Sequence, residues 1–165
     1  MNLLRRLSKK PQQPVPVKAI IFLGIIALLG FADATFLTFE HYSNVIPPCT
    51  TTGCETVLTS SYAEIFGIPV AVLGALYYLV LLVCFVAHLE SKKPDLLAWA
   101  LRGTVVGFIM SMWFLFAQAF ILHAFCQYCL GSVTTSTILF VTAIVLILKY
   151  DGDSPIVEIH DKQTI

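Results

Sequence analysis

Residues 99–148 read WALRGTVVGFIMSMWFLFAQAFILHAFCQYCLGSVTTSTILFVTAIVLIL. Within them Trp99–Leu122 and Gln127–Leu148 are apolar runs parted by the short link His123–Phe125, and Arg102 is the one formally charged side chain. Each run is long enough to cross a bilayer as a helix, which takes ~20 residues. In hydrocarbon a helix satisfies its own backbone hydrogen bonds. Two more such runs precede them, Val17–Phe39 and Pro69–Leu89, with Asp33 as the main charged exception. The pattern predicts an all-α membrane protein, a four-transmembrane-helix bundle.

Composition agrees. Of 165 residues, 58% are hydrophobic and 12% charged, and mean hydropathy is +0.85. Soluble chains run nearer to about half apolar and about a quarter charged. This argues against a water-soluble domain and against a disordered chain. Ten Lys and Arg residues are matched by ten Asp and Glu, which argues against a nucleic-acid partner. The length suits one domain. The expected organisation is a segment 1–16, a four-helix membrane domain 17–148 and a polar tail 149–165.

Lys and Arg set the expected orientation. Arg5, Arg6, Lys9, Lys10 and Lys18 lie at the N-terminus, Lys92 and Lys93 between the second and third spans, and Lys149 and Lys162 in the tail. The link Glu40–Ile68 and the link His123–Phe125 have none. Both termini are expected in the cytoplasm and both of these links on the outer face of the cell inner membrane. The first run also admits another reading, a secretory signal peptide cut near Ala32-Asp33-Ala34. Apolar character continuing through Phe36, Leu37 and Phe39 favours an uncleaved span.

Four of the five cysteines fall on the outer side. Cys49 and Cys54 lie in the long link, and Cys126 and Cys129 form a C-x-x-C opening the last run. Outer-face thiols meet an oxidising compartment. At a helix start, unpaired backbone N–H groups favour a thiolate, and residues three apart share a helix face. This predicts a reactive dithiol, Cys126 and Cys129, facing a second pair, Cys49 and Cys54. Cys84, mid-membrane, reads as packing. The simpler alternatives are a structural staple for the loop pair, or a zinc site, for which no clustered His speaks.

The outer link carries a helix signal of its own. Thr52-Gly53-Cys54-Glu55 fits a capping box. Leu58, Tyr62, Ile65 and Phe66 follow at helical spacing. They predict a short interfacial helix over Cys54–Phe66, ended by Gly67-Ile68-Pro69. Such a loop would act as a lid, its apolar residues packing on the spans. Among polar residues in or near the spans, Asp33 is read as a lid anchor, a proton carrier or a group reaching for the interface. Gln118, His123 and Ser60 are candidates to hydrogen-bond a ligand near the C-x-x-C. Ser132, Thr134, Thr135 and Ser136 read mainly as packing positions.

These residues resemble a known family. Cys49…Cys54-Glu55-Thr56-Val57-Leu58-Thr59-Ser60, Phe66-Gly67-Ile68-Pro69-Val70-Ala71-Val72-Leu73-Gly74 and Cys126-Gln127-Tyr128-Cys129 are similar to the vitamin K epoxide reductase family, in its short bacterial form without a fused thioredoxin-like domain. The resemblance implies a helix bundle around a quinone of ubiquinone or menaquinone type. It casts Cys49 and Cys54 as a shuttle pair, Cys126 and Cys129 as the active pair, Cys129 facing the quinone and Ser60 near the pair. It implies a membrane thiol-disulfide oxidoreductase supporting disulfide formation, with a separate thioredoxin-fold, DsbA-like dithiol partner. The pattern departs at Val133 and around Val70, where the animal enzymes carry a Tyr and an Asn that contact the vitamin K head group. The alternatives are a reductase of vitamin K quinone or epoxide, and a non-enzymatic membrane subunit with structural disulfides.

Overall fold

The computed structural model describes residues 15–43, 45–50 and 53–150. Helix α1 spans Val17–Ser43, and the short α2 spans Cys54–Leu58. Strands β1 (Glu64–Ile65) and β2 (Ile68–Pro69) form an antiparallel hairpin. Then come α3 (Val70–Ser91), α4 (Pro94–Phe116) and α5 (Gln127–Tyr150). A wider π-helical turn, Ala117–Ile121, extends α4. With that extension, four helices among the described residues are long and apolar enough to cross a membrane. The protein is a multi-pass membrane protein.

Local chemistry sets the helix ends. Pro69 precedes α3 and Pro94 opens α4, where a missing N–H costs nothing. Asp95 in the first turn of α4 complements the helix dipole. The helix therefore starts before the expected Trp99. At the end of α3, Lys92 takes a left-handed conformation (φ 52°) and its N–H bonds to the His88 carbonyl. Helix α1 runs past the expected Phe39 through the half-buried Glu40 and His41.

Helix α1 packs against α3 and α5, and α4 against the same two, closing a four-helix ring. Toward the end of the bundle where α1 begins, the ring is filled by Leu23, Ala27, Phe85, Leu101, Leu139 and Ala143. Leu28, Val83, Ile109 and Val145 point outward and are exposed, as lipid-facing positions are in a helix apolar all round. Tyr78 ties three helices together. A Cβ at Gly30 of α1 would fall inside its ring. Its hydroxyl donates to the Ser132 carbonyl at 3.2 Å and bonds with Thr135 Oγ1 at 2.8 Å on α5.

The loop helix is shorter than expected: it stops at Leu58, not Phe66. Thr59 Oγ1 donates to the Glu55 carbonyl and Ser60 Oγ to the Val57 carbonyl, both at 2.7 Å. Hydroxyls that bond back to the chain compete with helix continuation. The chain then turns at Phe66 and Gly67, both with positive φ (52° and 78°), as a tight right-twisted hairpin requires. Phe66 stands at the tip, fully exposed, and does not pack on the spans. The residue before α2 is Gly53, which offers no side-chain cap; Thr52 of the expected capping box lies outside the described residues.

Candidate active site

A cavity of about 700 Å³ occupies the half of the bundle that carries the loop. Leu37 of α1, Gly74 of α3, Phe114 of α4 and Val133 of α5 line its walls, and Val57, Leu58, Tyr62 and Ile65 roof it. Its size suits a small organic ligand. Three of the four apolar residues read from the loop pattern thus do cover the bundle, though not along one helix.

The C-x-x-C borders this space. Cys126 sits immediately before α5, its carbonyl accepting the Leu130 N–H at 3.0 Å. Cys129 lies in the first turn and lines the cavity. The turn between α4 and α5 is built around Gln118, which is 2% exposed. Its Oε1 accepts the Cys126 N–H at 2.9 Å and its carbonyl accepts the Ala124 N–H at 3.1 Å. The π-helical turn places it so. A buried N–H left without a partner costs about 1–3 kcal/mol, so Gln118 fixes where Cys126 sits.

The loop pair is a disulfide, Cys49–Cys54, with Cα atoms 6.3 Å apart. Cys54 opens α2 and is 1% exposed; Cys126 is 0% exposed, and the two share one buried cluster with Val57. Cys49 lies at the rim of that cluster, half-buried. Gly53 permits this approach: a Cβ there would lie 2.6 Å from the Phe125 nitrogen and 2.7 Å from its carbonyl oxygen. The two residues inside the C-x-x-C clamp the loop from below. Tyr128 Oη donates to the Pro48 carbonyl at 2.9 Å, and Gln127 Oε1 accepts the Thr50 N–H at 3.1 Å and its hydroxyl at 2.5 Å.

The Cys129 thiol, hydrogen-bonded to the Cys126 sulfur, lowers the Cys126 pKa to about 7, aided by the backbone N–H groups of Cys129 and Tyr128 and opposed by burial. A free cysteine titrates near roughly 8.5. The sign follows: Cys126 is mainly thiol below the lowered value and mainly thiolate above it. In reduced protein with Cys49, Cys54 and Cys84 replaced by alanine, iodoacetamide should modify Cys126 at a rate half-maximal near pH 7. A midpoint near that of an ordinary thiol would show that Cys129 does not activate it.

The family model for the vitamin K epoxide reductase family matches residues 21–144 of this chain. The chain belongs to the vitamin K epoxide reductase family. Members are membrane oxidoreductases of disulfides and quinones, and the matched stretch contains both cysteine pairs and all the cavity walls. The residues present fit a quinone. Tyr77 Oη and Ser136 Oγ are buried with no hydrogen-bond partner among the described residues, and both border the cavity. Free hydroxyls donate to carbonyl oxygens, and the apolar walls suit a ring. A Cβ at Gly107 would collide with the Tyr77 hydroxyl, so this glycine makes its room.

Of the ligand candidates read from the sequence, Cys129, Gln118 and Ser60 border the cavity. Ser60 Oγ is engaged with the Val57 carbonyl and Gln118 Oε1 with Cys126. His123 is not brought there; it is exposed on the turn with φ 49°. Nothing in the sequence distinguishes Tyr77 from its apolar neighbours, and Ser136 reads as a packing position. A signal for Ser136 existed: Cys129, Ser132 and Ser136 recur at helical spacing on one face of α5.

Proposed function

We propose that this protein is a quinone-dependent thiol oxidoreductase serving disulfide formation outside the cytoplasm. A thioredoxin-fold, DsbA-like dithiol protein reduces Cys49–Cys54, that pair reduces Cys126–Cys129, and Cys129 passes the electrons on. One observation carries the reading: Cys54 of the loop disulfide shares a small buried cluster with Cys126, whose partner Cys129 borders the cavity.

The exposures support a division of labour within the loop pair, in which Cys49 meets the partner and Cys54 attacks inward. Attack of the Cys54 thiolate on the Cys126 sulfur expels Cys129. Attack of Cys49 on Cys54 then restores the loop disulfide and expels Cys126. A leaving thiol of lower pKa departs faster, which is the use of the lowered Cys126 value. Tyr77 and Ser136 would hold the quinone by its oxygens. Bound there, a quinone of ubiquinone or menaquinone type supplies the two-electron, two-proton sink that makes the exchange downhill. The Lys- and Arg-free links 40–68 and 123–125 face outward, with segments 1–16 and 149–165 in the cytoplasm of a cell whose inner membrane holds domain 17–148.

Purified protein in lipid nanodiscs should bleach ubiquinone or menaquinone absorbance when given a reduced DsbA-like protein. No consumption of either quinone, with the Cys49–Cys54 bond left intact, would overturn the reading in favour of a structural disulfide.

A further inference from the structure

Asp33 lies within α1, and the exchange chemistry above makes no use of it. Carboxyls inside a span are costly to keep and mark function more often than packing. Its Oδ2 accepts a hydrogen bond from Ser132 Oγ at 2.7 Å. Ser132 follows Cys129 by one turn of α5, and both border the cavity. The helices meet closely here: a Cβ at Gly131 would stand 4.0 Å from both Asp33 carboxyl oxygens. A hydroxyl thus stands between this carboxyl and the space beside Cys129.

Proton arithmetic shows what is missing. When the Cys126 thiolate and the Cys129 thiol join in a disulfide, two electrons leave the pair but only one proton, that of Cys129. A two-electron, two-proton acceptor needs one proton more. We infer that Asp33 supplies that proton through Ser132 Oγ: the Ser132 hydroxyl, which donates to Asp33 at rest, turns toward the cavity, gives up its proton there and takes the Asp33 proton at its oxygen. Asp33 is left as carboxylate and recovers a proton from water. The inference rests on the quinone reading given above. Charge balances, since one anion, the Cys126 thiolate, is replaced by one anion, the Asp33 carboxylate.

The groups acting on Asp33 electrostatically are Tyr78 from α3 and Cys126 and Cys129 from α5 and the turn before it. The Tyr78 hydroxyl is already committed to the Ser132 carbonyl and Thr135. The Cys126 thiolate opposes a second negative charge nearby. On this proposal Asp33 carries its proton while the pair is reduced and gives it up as the disulfide forms. The same repulsion times the transfer.

Two measurements test this. In quinone-free protein, infrared difference spectra between dithiothreitol-reduced and diamide-oxidised states should show a protonated-carboxyl band that weakens on oxidation and is missing in Asp33→Asn. Asparagine keeps the shape and still accepts the Ser132 hydrogen bond, and an unchanged Cys126 alkylation rate checks that the site is intact. In turnover, Asp33→Asn should lose about 10²-fold or more, with the loss growing as pH rises and bulk protons become scarce. Asp33→Ala should be partly rescued by formic acid and not by formamide, which fills the same space and accepts the same Ser132 hydrogen bond but brings no acidic proton. No Asp33-dependent band, or an Asp33→Asn pH profile that overlays the wild type, overturns the inference. Failure of the wild-type protein to reduce quinone would sink the functional reading alone, leaving the infrared result to decide the role of Asp33.

Discussion

Alanine at Cys126 or at Cys129 is expected to stop quinone reduction driven by a DsbA-like dithiol, by on the order of 10³-fold or more. Each exchange needs a sulfur to attack and a second sulfur to leave. With Cys129 gone, Cys126 can accept a bond from Cys54 but nothing resolves it toward the cavity. With Cys126 gone, Cys129 keeps its place on the cavity wall but the sulfur that Cys54 would attack is missing. Because the two act as one unit, the double variant should be no worse than either single one. Neither change touches the backbone that holds the turn: the Cys126 N–H still reaches Gln118 Oε1, and only one sulfur is lost from the buried cluster, so the variants should still fold and thermal unfolding in detergent checks that they do. Quinone bleaching measures the loss. Retention of a tenth of wild-type turnover in either variant would remove these residues from the electron path.

Much of this site was open to reading in one dimension, and the reasons for the exceptions are physical. Hydrophobicity integrates over a whole span, so the four helices were plain despite local errors at their ends. The C-x-x-C stood out because both thiols fall within one turn. The loop helix was overextended because Leu58, Tyr62, Ile65 and Phe66 match helical spacing, a pattern that says which residues are apolar but not whether the backbone between them stays helical. Thr59 and Ser60 ended it by short-range bonds of their own. His123 is close to the C-x-x-C in sequence, but a left-handed turn carries it to the surface.

What could not be read was anything decided across the bundle. Gln127 and Tyr128 looked like the spacer of a motif, yet they grip Pro48 and Thr50, 77 to 80 positions away. That the Tyr77 and Ser136 hydroxyls lack partners among the described residues depends on what the facing helices present. Gly53 looked like part of a capping box, and its real role is to have no side chain where Phe125 passes. In each case the residue type was visible and its opposite number was not.

That role of Gly53 carries the second large effect. Its backbone (φ −97°, ψ −7°) is open to any residue, so valine there is opposed by contact alone. The contact is severe, because the Cβ would meet the Phe125 nitrogen and carbonyl oxygen at 2.6 and 2.7 Å and neither atom is a side chain that can swing away. The loop must lift, and Cys54 with it. Misplacement of reacting groups by about 1 Å can cost 10²-fold. Gly53→Val is therefore expected to cut turnover driven by the protein partner by about 10²-fold or more, while turnover driven by dithiothreitol, to which the lifted loop opens the otherwise buried Cys126, holds or rises. A cross-link reports the same geometry without quinone. In protein carrying Cys49→Ala and Cys129→Ala, mild oxidation should join Cys54 to Cys126, visible by mass spectrometry, and adding Gly53→Val should suppress that bond. If Cys54 and Cys126 fail to join even with Gly53 in place, the loop disulfide is a staple and not a shuttle. If they join equally well with valine there, the approach of the two pairs does not depend on the seat that Gly53 provides.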